Sequence, residues 1–299
     1  MQVPAPVEYE KAATVEQALT LLARYAPGAR ILAGGHSLIP MMKLRLAQPE
    51  VLVDINGIHG LRYIKRAGAE LRIGALARHA DLLAAQVAGD HFAILHDAER
   101  VIADPVVRNW GTIGGSLCQA DPSEDLSAAF AALKGSMIIQ GPDGSREVPA
   151  RAFHTGPYET VVGPAEMLTE IRLPIRPGSG SAYMKVARRV GDWPIGAAGV
   201  AVRLEGLEGE VIADVGIGLT AVGAAHFVAA EAEEFLLGRA AGEEAFLRAG
   251  EIAAAHCRPG SDQRGPEEYK RHLVRELTAR MLRAAVRRAR GLDPVTAAP

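Results

Sequence analysis

The chain has 299 residues, is 48% hydrophobic, and carries 33 Lys and Arg against 35 Asp and Glu for a net charge of −2. At about 150 residues per domain that length predicts two or three domains, each with apolar mass for a core. The near-neutral balance gives no field for gathering nucleic acid or acidic lipid, and two cysteines, Cys118 and Cys257, exclude a disulfide framework and cannot supply the four thiolates of an iron-sulfur cluster.

No basic segment followed by an apolar one opens the chain, and no run of about 18 apolar residues interrupts it, so a soluble cytoplasmic chain is expected. Thr14 stands before Val15, Ala18, Leu19 and Leu22 at helical spacing, which predicts a helix over 15–25 with Thr14 as N-cap. "RILAGG" and "VLVDI" read as short strands, and residues 61–76 as a hairpin around Ala67, Gly68 and Ala69. Helical spacing returns over 79–89 and 92–103, and "EDLSAAFAALKG" predicts a helix closed by Gly135. Residues 136–150 form a second hairpin pattern with Pro142, Asp143 and Gly144 at its tip.

Pro, Gly and Ser concentrate over 173–183, which marks a domain boundary. Beyond it come strand patterns at 182–189, 195–205 and 211–220, then helices at about 225–237, 243–255 and 266–290, the order of an α+β unit. Residues 291–299 read as a loose tail.

Two glycine segments carry the chemistry. "AGGHS" at 33–37 follows a strand, and glycine without Cβ lets successive N–H groups turn toward an oxyanion; the alternative is an ordinary surface turn. "GTIGGS" at 111–116 repeats the pattern with Thr112 and Ser116 as added donors, so the pair could clamp the two phosphates of one pyrophosphate. Neither has the spacing of a Walker A loop or a Rossmann fingerprint, which disfavours a kinase or an ordinary NAD enzyme. Asp121, Glu124 and Asp125 lie at a helix start, where acids are either caps or acceptors for sugar-like hydroxyls. Trp110 is expected to be a packing residue, and the nine histidines show no metal-ligand spacing. The basic segment around Arg271, Arg275, Arg280, Arg283, Arg287, Arg288 and Arg290 reads as a solvated helix face or a contact for an acidic partner, and without interleaved aromatics it does not suggest nucleic acid.

"AGGHSLIPMMKLRLAQPEVLVDI", "GTIGGSLCQADPSEDL", "EMLTEIRLP", "YMKVARRVGDWPIGAAGVAV" and "DQRGPEEYKRHLVRELTARMLRAAVRRA" together resemble the FAD-binding medium subunits of the molybdenum hydroxylases. Within that group the chain resembles the medium subunit of aerobic carbon monoxide dehydrogenase. The resemblance implies an α+β fold of the vanillyl-alcohol oxidase type. It places an FAD-binding domain at 1–176, made of two subdomains split near 57–60, before a smaller α+β domain at 181–290 and the 291–299 tail. It also implies the cofactor residues. Ala33, Gly34, Gly35, His36, Ser37 and Leu38 correspond to one pyrophosphate segment, and Thr112, Ile113, Gly114, Gly115 and Ser116 to the other. Asp125 corresponds to a contact with the sugar or ribityl chain, Lys185 to a cation at the pyrimidine edge of the flavin, and Leu168 and Trp193 to further contacts. Two positions depart from the pattern: Trp193 stands where many relatives have Tyr, and Ser116 where Asn is frequent, so a phenolic role at 193 is not available.

No catalytic residue and no metal ligand is implied for this chain. The resemblance instead implies a large subunit with a molybdenum-cytosine dinucleotide cofactor and a small subunit with two-iron clusters, assembled as a dimer of heterotrimers. Electrons would leave through non-covalent FAD to an external acceptor such as a quinone, at the inner face of the membrane. Aerobic carbon monoxide oxidation is the activity the resemblance implies; the alternatives are the same subunit in a purine, aldehyde or N-heterocycle hydroxylase and, from another class, a free-standing flavin-binding protein.

Overall fold

The structure, a computed structural model, describes residues 3–206 and 210–292. The amino-terminal unit contains β1 (Glu8–Lys11), α1 (Val15–Tyr25), β2 (Ala29–Leu32), α2 (Leu38–Lys43) and β3 (Val51–Asp54). Helical crossovers after β1 and β2 make the sheet parallel, in the order β1-β3-β2. The Thr14 hydroxyl accepts from the Gln17 N–H at 3.2 Å and starts α1, whose Ala18, Leu19 and Leu22 pack against Val51 and Val53. The "AGGHS" segment leaves the carboxyl end of β2, the edge at which open parallel sheets bind ligands.

The central unit comprises β4 (Ile64–Ala67), β5 (Glu70–Gly74), α3 (His79–Ala84), α4 (Gln86–Gly89), α5 (Ala93–Glu99), α6 (Pro105–Trp110), α7 (Ile113–Gln119), α8 (Asp125–Ala132), β6 (Ser136–Gly141), β7 (Gly144–Pro149), α9 (Ala150–Phe153), β8 (His154–Gly156), β9 (Glu159–Thr160) and β10 (Met167–Pro174). Its antiparallel sheet runs β4-β5-β10-β6-β7, with the last strand in the middle. Every residue of α8 is buried, so this helix is the centre of the unit's core rather than an amphipathic cover.

Three expectations change here. The helix over 79–89 breaks at Ala85, which has extended ψ 99°, and the one over 92–103 begins at Ala93 and stops at Glu99. Gly135 does not supply the left-handed residue after α8; Lys134 does, at φ 53°, and Gly135 is small because a Cβ there would lie 2.6 Å from Leu173 Cδ2. "GTIGGS" is not a loop. Thr112 caps α7, so both glycines of the pair sit in a helical first turn.

The carboxy-terminal unit contains β11 (Ser179–Val186), β12 (Gly196–Glu205), β13 (Val211–Thr220), α10 (Ala230–Leu236), α11 (Glu243–His256) and α12 (Glu267–Ala289). The antiparallel sheet β11-β12-β13 lays one face on α12 and α10, with α11 packed against both helices, while Tyr183 and Ala197 join the central core. The segment expected as one helix over 225–237 is a short 3₁₀ turn, Ala225–Phe227, and then α10. On α12 the cations mostly meet surface acids, Arg271 with Glu267, Arg280 with Glu276 and Arg283 with Glu243. Such pairs contribute about 0–1 kcal/mol each, whereas each fully buried Leu or Val contributes about 1.5–3 kcal/mol, so Leu277, Leu282 and Val286 fix the helix. Arg288 departs from the solvated face: it is partly buried and donates to Asp97 Oδ2 at 2.6 Å and to the Ser181 carbonyl at 2.7 Å, tying α12 to α5.

Of the expected tail, Gly291 and Leu292 are described and 293–299 lie outside the described residues. Among the described residues no helix is long and apolar enough to cross a membrane.

Candidate cofactor-binding cleft

A cleft of about 1200 Å³ lies where the three units meet. Its walls include Ala33 through Leu38, Thr112, Gly114, Gly115, Ser116, Asp125, Leu168, Lys185 and Trp193. Of the residues expected to contact the cofactor, Ile113 alone is absent from the walls. Its side chain is fully buried in the central core and its N–H donates to the Ala77 carbonyl at 2.9 Å.

The two glycine segments touch each other but are not equivalent. A Cβ at Gly34 would lie 2.3 Å from the Trp110 carbonyl oxygen and 2.8 Å from Gly111 Cα, so only glycine allows this contact. Gly35 has φ +76°, the left-handed region that glycine enters without penalty. Along 33–38 no backbone N–H has an acceptor among the described residues, while the carbonyls of Gly35 and Ser37 already serve α2. A run of free N–H groups through a left-handed turn is an anion nest. In the second segment the same groups are engaged: Gly114 N–H with the Ala75 carbonyl at 2.9 Å, Gly115 N–H with Thr112 Oγ1 at 3.1 Å, and Ser116 N–H with the Thr112 carbonyl at 2.9 Å. The Ser116 hydroxyl donates to Glu124 Oε1 at 2.8 Å, so its donor is spent inside the chain, while the Thr112 hydroxyl serves as an acceptor, the cap of α7.

A polar brace behind the junction holds both segments. Asn56 Nδ2 donates to the Ala33 carbonyl at 2.8 Å, Arg78 Nη2 donates to Asn56 Oδ1 at 3.0 Å, and Arg78 Nη1 donates to the Trp110 carbonyl. Trp110 itself is 57% exposed with the Arg78 guanidinium 5.5 Å from its ring centre, which corrects the expectation of a packed indole. Neither Asn56 nor Arg78 carries a sequence signal beyond its place at a strand end and a helix start.

The acids at the start of α8 divide the two roles the sequence left open. Glu124 is the cap, accepting from the Leu126 and Ser127 N–H groups at 3.0 and 2.5 Å. Asp125 is turned to the carboxy-terminal unit, where Oδ1 accepts from Tyr183 Oη at 2.6 Å and Oδ2 from Lys185 Nζ at 2.9 Å. Burial pushes the Asp125 carboxyl up to about 6 against the pull of Lys185 and Tyr183. Lys185 is buried in this pair, which removes the solvated-strand alternative. Trp193, 44% exposed, sits between β11 and β12 on the opposite rim.

A second buried pair escaped the sequence reading because its members are twenty positions apart. His79 Nδ1 lies 3.0 and 3.1 Å from the two oxygens of Glu99, with Glu99 fully buried and His79 on the cleft wall. Burial works against a charged imidazole here, but the Glu99 carboxylate outweighs it and holds the His79 proton above its ordinary range.

Comparison with known proteins agrees with this geometry. The family described as FAD binding domain in molybdopterin dehydrogenase matches residues 5–176, and the CO dehydrogenase flavoprotein C-terminal domain matches 181–285. The carbon monoxide dehydrogenase medium chain of Hydrogenophaga pseudoflava is 38% identical over 95% of this chain and 98% of its own. The glyceraldehyde dehydrogenase medium chain of Sulfolobus acidocaldarius is 35% identical over 92% of this chain and 96% of its own. Among solved structures, the carbon monoxide dehydrogenase of Hydrogenophaga pseudoflava that lacks the Mo-pyranopterin moiety superposes with a TM-score of 0.91 at 40% identity, covering 96% of this chain and 99% of that one. A nest of free N–H groups on a dinucleotide-sized cleft, in a chain matched end to end by these relatives, makes the protein a member of the molybdopterin dehydrogenase family and, within it, an FAD-binding medium subunit.

Proposed function

We propose that this chain holds FAD non-covalently in the large cleft, receives electrons from two-iron clusters on a small partner subunit, and passes them to an external acceptor during aerobic oxidation of carbon monoxide. The observation that carries the reading is the N–H run of 33–38 on the cleft wall, because it fits a pyrophosphate and has no acceptor among the described residues. FAD, when bound, supplies reversible electron transfer that no side chain can. The chain's residues do the rest. Ala33 to Leu38 receive the pyrophosphate, Gly114 and Gly115 keep the opposite wall free of side chains, and the backbone of Thr112, Ile113 and Ser116 fixes that wall. Asp125 offers its remaining lone pairs to sugar or ribityl hydroxyls, the Lys185 ammonium favours negative charge on the reduced ring, and Leu168 and Trp193 keep water from its faces.

Carbon monoxide is favoured as substrate by the 38% relative and by the matching carboxy-terminal domain, in an assembly with a large molybdenum subunit as a dimer of heterotrimers. The 35% identity to a glyceraldehyde dehydrogenase medium chain supports an aldehyde as the second reading. The substrate pocket would lie on the large subunit. Purifying the native complex and assaying carbon monoxide and aldehydes with a quinone analogue tests both. Oxidation of an aldehyde without carbon monoxide turnover would displace the first reading, and a colourless, cofactor-free chain would remove them together.

A further inference from the structure

The His79–Glu99 pair ties α3 to α5, a task that an apolar contact could also perform. Two buried polar side chains twenty residues apart, on α3 and α5, are brought together beside the apolar core that includes Ile94, Leu95, Ala98 and Leu117. Burying a carboxylate and an imidazole is costly before their attraction offsets it, and an apolar pair of the same shape would avoid that cost. The orientation of the pair is informative. Glu99 occupies Nδ1 with both oxygens, so the remaining ring nitrogen, Nε2, is the one left for the cleft. The ring lies against Gly111: a Cβ at that position would be 2.9 Å from His79 Cδ2 and 3.4 Å from Nε2. The His79 N–H donates to the Gly111 carbonyl at 3.2 Å, and Gly111 Cα is the atom that meets Gly34. The imidazole edge is thus beside the junction of the two glycine segments.

We propose that His79, oriented by Glu99, is an anion-binding residue of the cofactor cleft that is charged when FAD is bound, so that FAD binding takes up a proton. The inference rests on the FAD reading above. With Nδ1–H donated to Glu99, a neutral ring would present a lone pair at Nε2 to the pyrophosphate, which repels it. Protonation turns that lone pair into an N–H donor next to the free N–H groups of 33–38, and the bound phosphates stabilise the added charge. Glu99 is the positioning residue, since it sets which nitrogen faces the ligand and compensates the imidazolium.

Other charges face this ring. Glu99 approaches from α5, Glu124 and Asp125 lie at the start of α8, and Arg78 and Asp81 belong to the turn that begins α3; Lys185 acts through Asp125. Asp125 titrates near 6, so its ionisation also weakens anion binding as pH rises, but that change is complete by about pH 7. Burial pushes the Glu99 carboxyl up as well, so the window above that change belongs to the His79–Glu99 pair, and variants at each position separate the two.

The test is FAD binding to apo full-length chain by calorimetry between about pH 7 and 9, in buffers of different ionisation enthalpy, which counts protons exchanged. Wild type should take up protons within this window, up to one per FAD, with affinity falling by up to about tenfold per pH unit. His79→Gln, which keeps a donor but cannot titrate, should bind FAD without proton uptake and with a flat profile. Glu99→Gln should reduce the uptake, and Glu99→Asp should restore part of it. If His79→Gln is poorly folded by its orphaned carboxylate, the His79→Gln/Glu99→Gln double variant gives the same readout. FAD binding by wild type with no proton exchange, or an unchanged pH slope in His79→Gln, would overturn the proposal while leaving the cofactor reading intact. No FAD binding at any pH would overturn both.

Discussion

Lys185 and Asp125 form a buried ion pair between β11 and the first residue of α8, with Nζ 2.9 Å from Oδ2 and side chains only 4% and 6% exposed. The pair joins the carboxy-terminal unit to the central one on the wall of the cleft, so it couples domain packing to the site. Removing one member leaves the other charge buried alone, which costs about 3–5 kcal/mol. Lys185→Met should therefore lower the denaturation midpoint of the apo chain at pH 8. At pH 5 the loss should be smaller, because Asp125 can then take a proton. Urea unfolding at the two pH values checks this; equal losses would mean that Asp125 is neutral throughout.

The same carboxyl makes a separate prediction about stability and pH. Its value is about 6 in the folded chain against 3.8 for an ordinary Asp, so the folded state binds the proton more tightly. For a group raised on folding, the stabilising contribution is fully present below the unfolded value and is lost as pH rises through the folded one. The difference in unfolding free energy between wild type and Asp125→Asn should therefore change across roughly pH 4 to 6 and be level above about 7. A difference that stays level from pH 4 to 8 would contradict the assigned burial.

The glycines separate fold from binding. At Gly34 a Cβ meets backbone at 2.3 Å, which cannot move cheaply, so Gly34→Ala should both loosen FAD and lower apo stability. At Gly115 the nearest atom is the Thr112 hydroxyl at 2.7 Å, the cap of α7. Disturbing a cap costs about 1 kcal/mol, so Gly115→Ala should fold with a modest loss. Gly115→Asp adds a negative charge beside the proposed pyrophosphate and should reduce flavin content far more than Gly115→Ala at similar apo stability. Absorbance of bound flavin and apo melting, measured on all three variants, decide it.

Legibility in the sequence followed the range of the interaction. Val15–Tyr25 was readable because Thr14 and an apolar stripe act within four residues. β1 was not, since Glu8–Lys11 is four largely exposed residues that become a strand only by pairing with β3. α6 carried a usable signal, Asp104 as N-cap and Pro105 at its first position, and α7 was hidden because Gly114 and Gly115 resemble turn residues while Thr112 caps them into a helix. At the cleft, the nest at 33–38 was visible from local glycine chemistry. The brace through Asn56 and Arg78 and the His79–Glu99 pair were not, because they exist only once three units are packed together.

Trp193 lies on the cleft rim in the turn between β11 and β12, held by its own neighbours: its N–H donates to Asp192 Oδ1 at 2.9 Å, and a Cβ at the left-handed Gly191 would lie 2.8 Å from the Ala103 carbonyl. This turn of the carboxy-terminal unit is thereby pressed against the loop before α6, while the indole stays 44% exposed and contributes little to any core. Trp193→Ala should then leave apo melting within about 0.5 kcal/mol of wild type, as for other exposed positions. If the indole covers the flavin, the same change removes an aromatic contact of about 0.5–1.5 kcal/mol beyond buried area. FAD should dissociate up to about tenfold faster, and reduced flavin should react more quickly with oxygen. Trp193→Tyr should recover most of the shielding with a smaller ring. The measurements are flavin release by fluorescence, oxygen reactivity of dithionite-reduced protein, and apo melting, on both variants. A large drop in apo melting with unchanged flavin release would make Trp193 a packing residue of the interdomain turn and remove it from the flavin site.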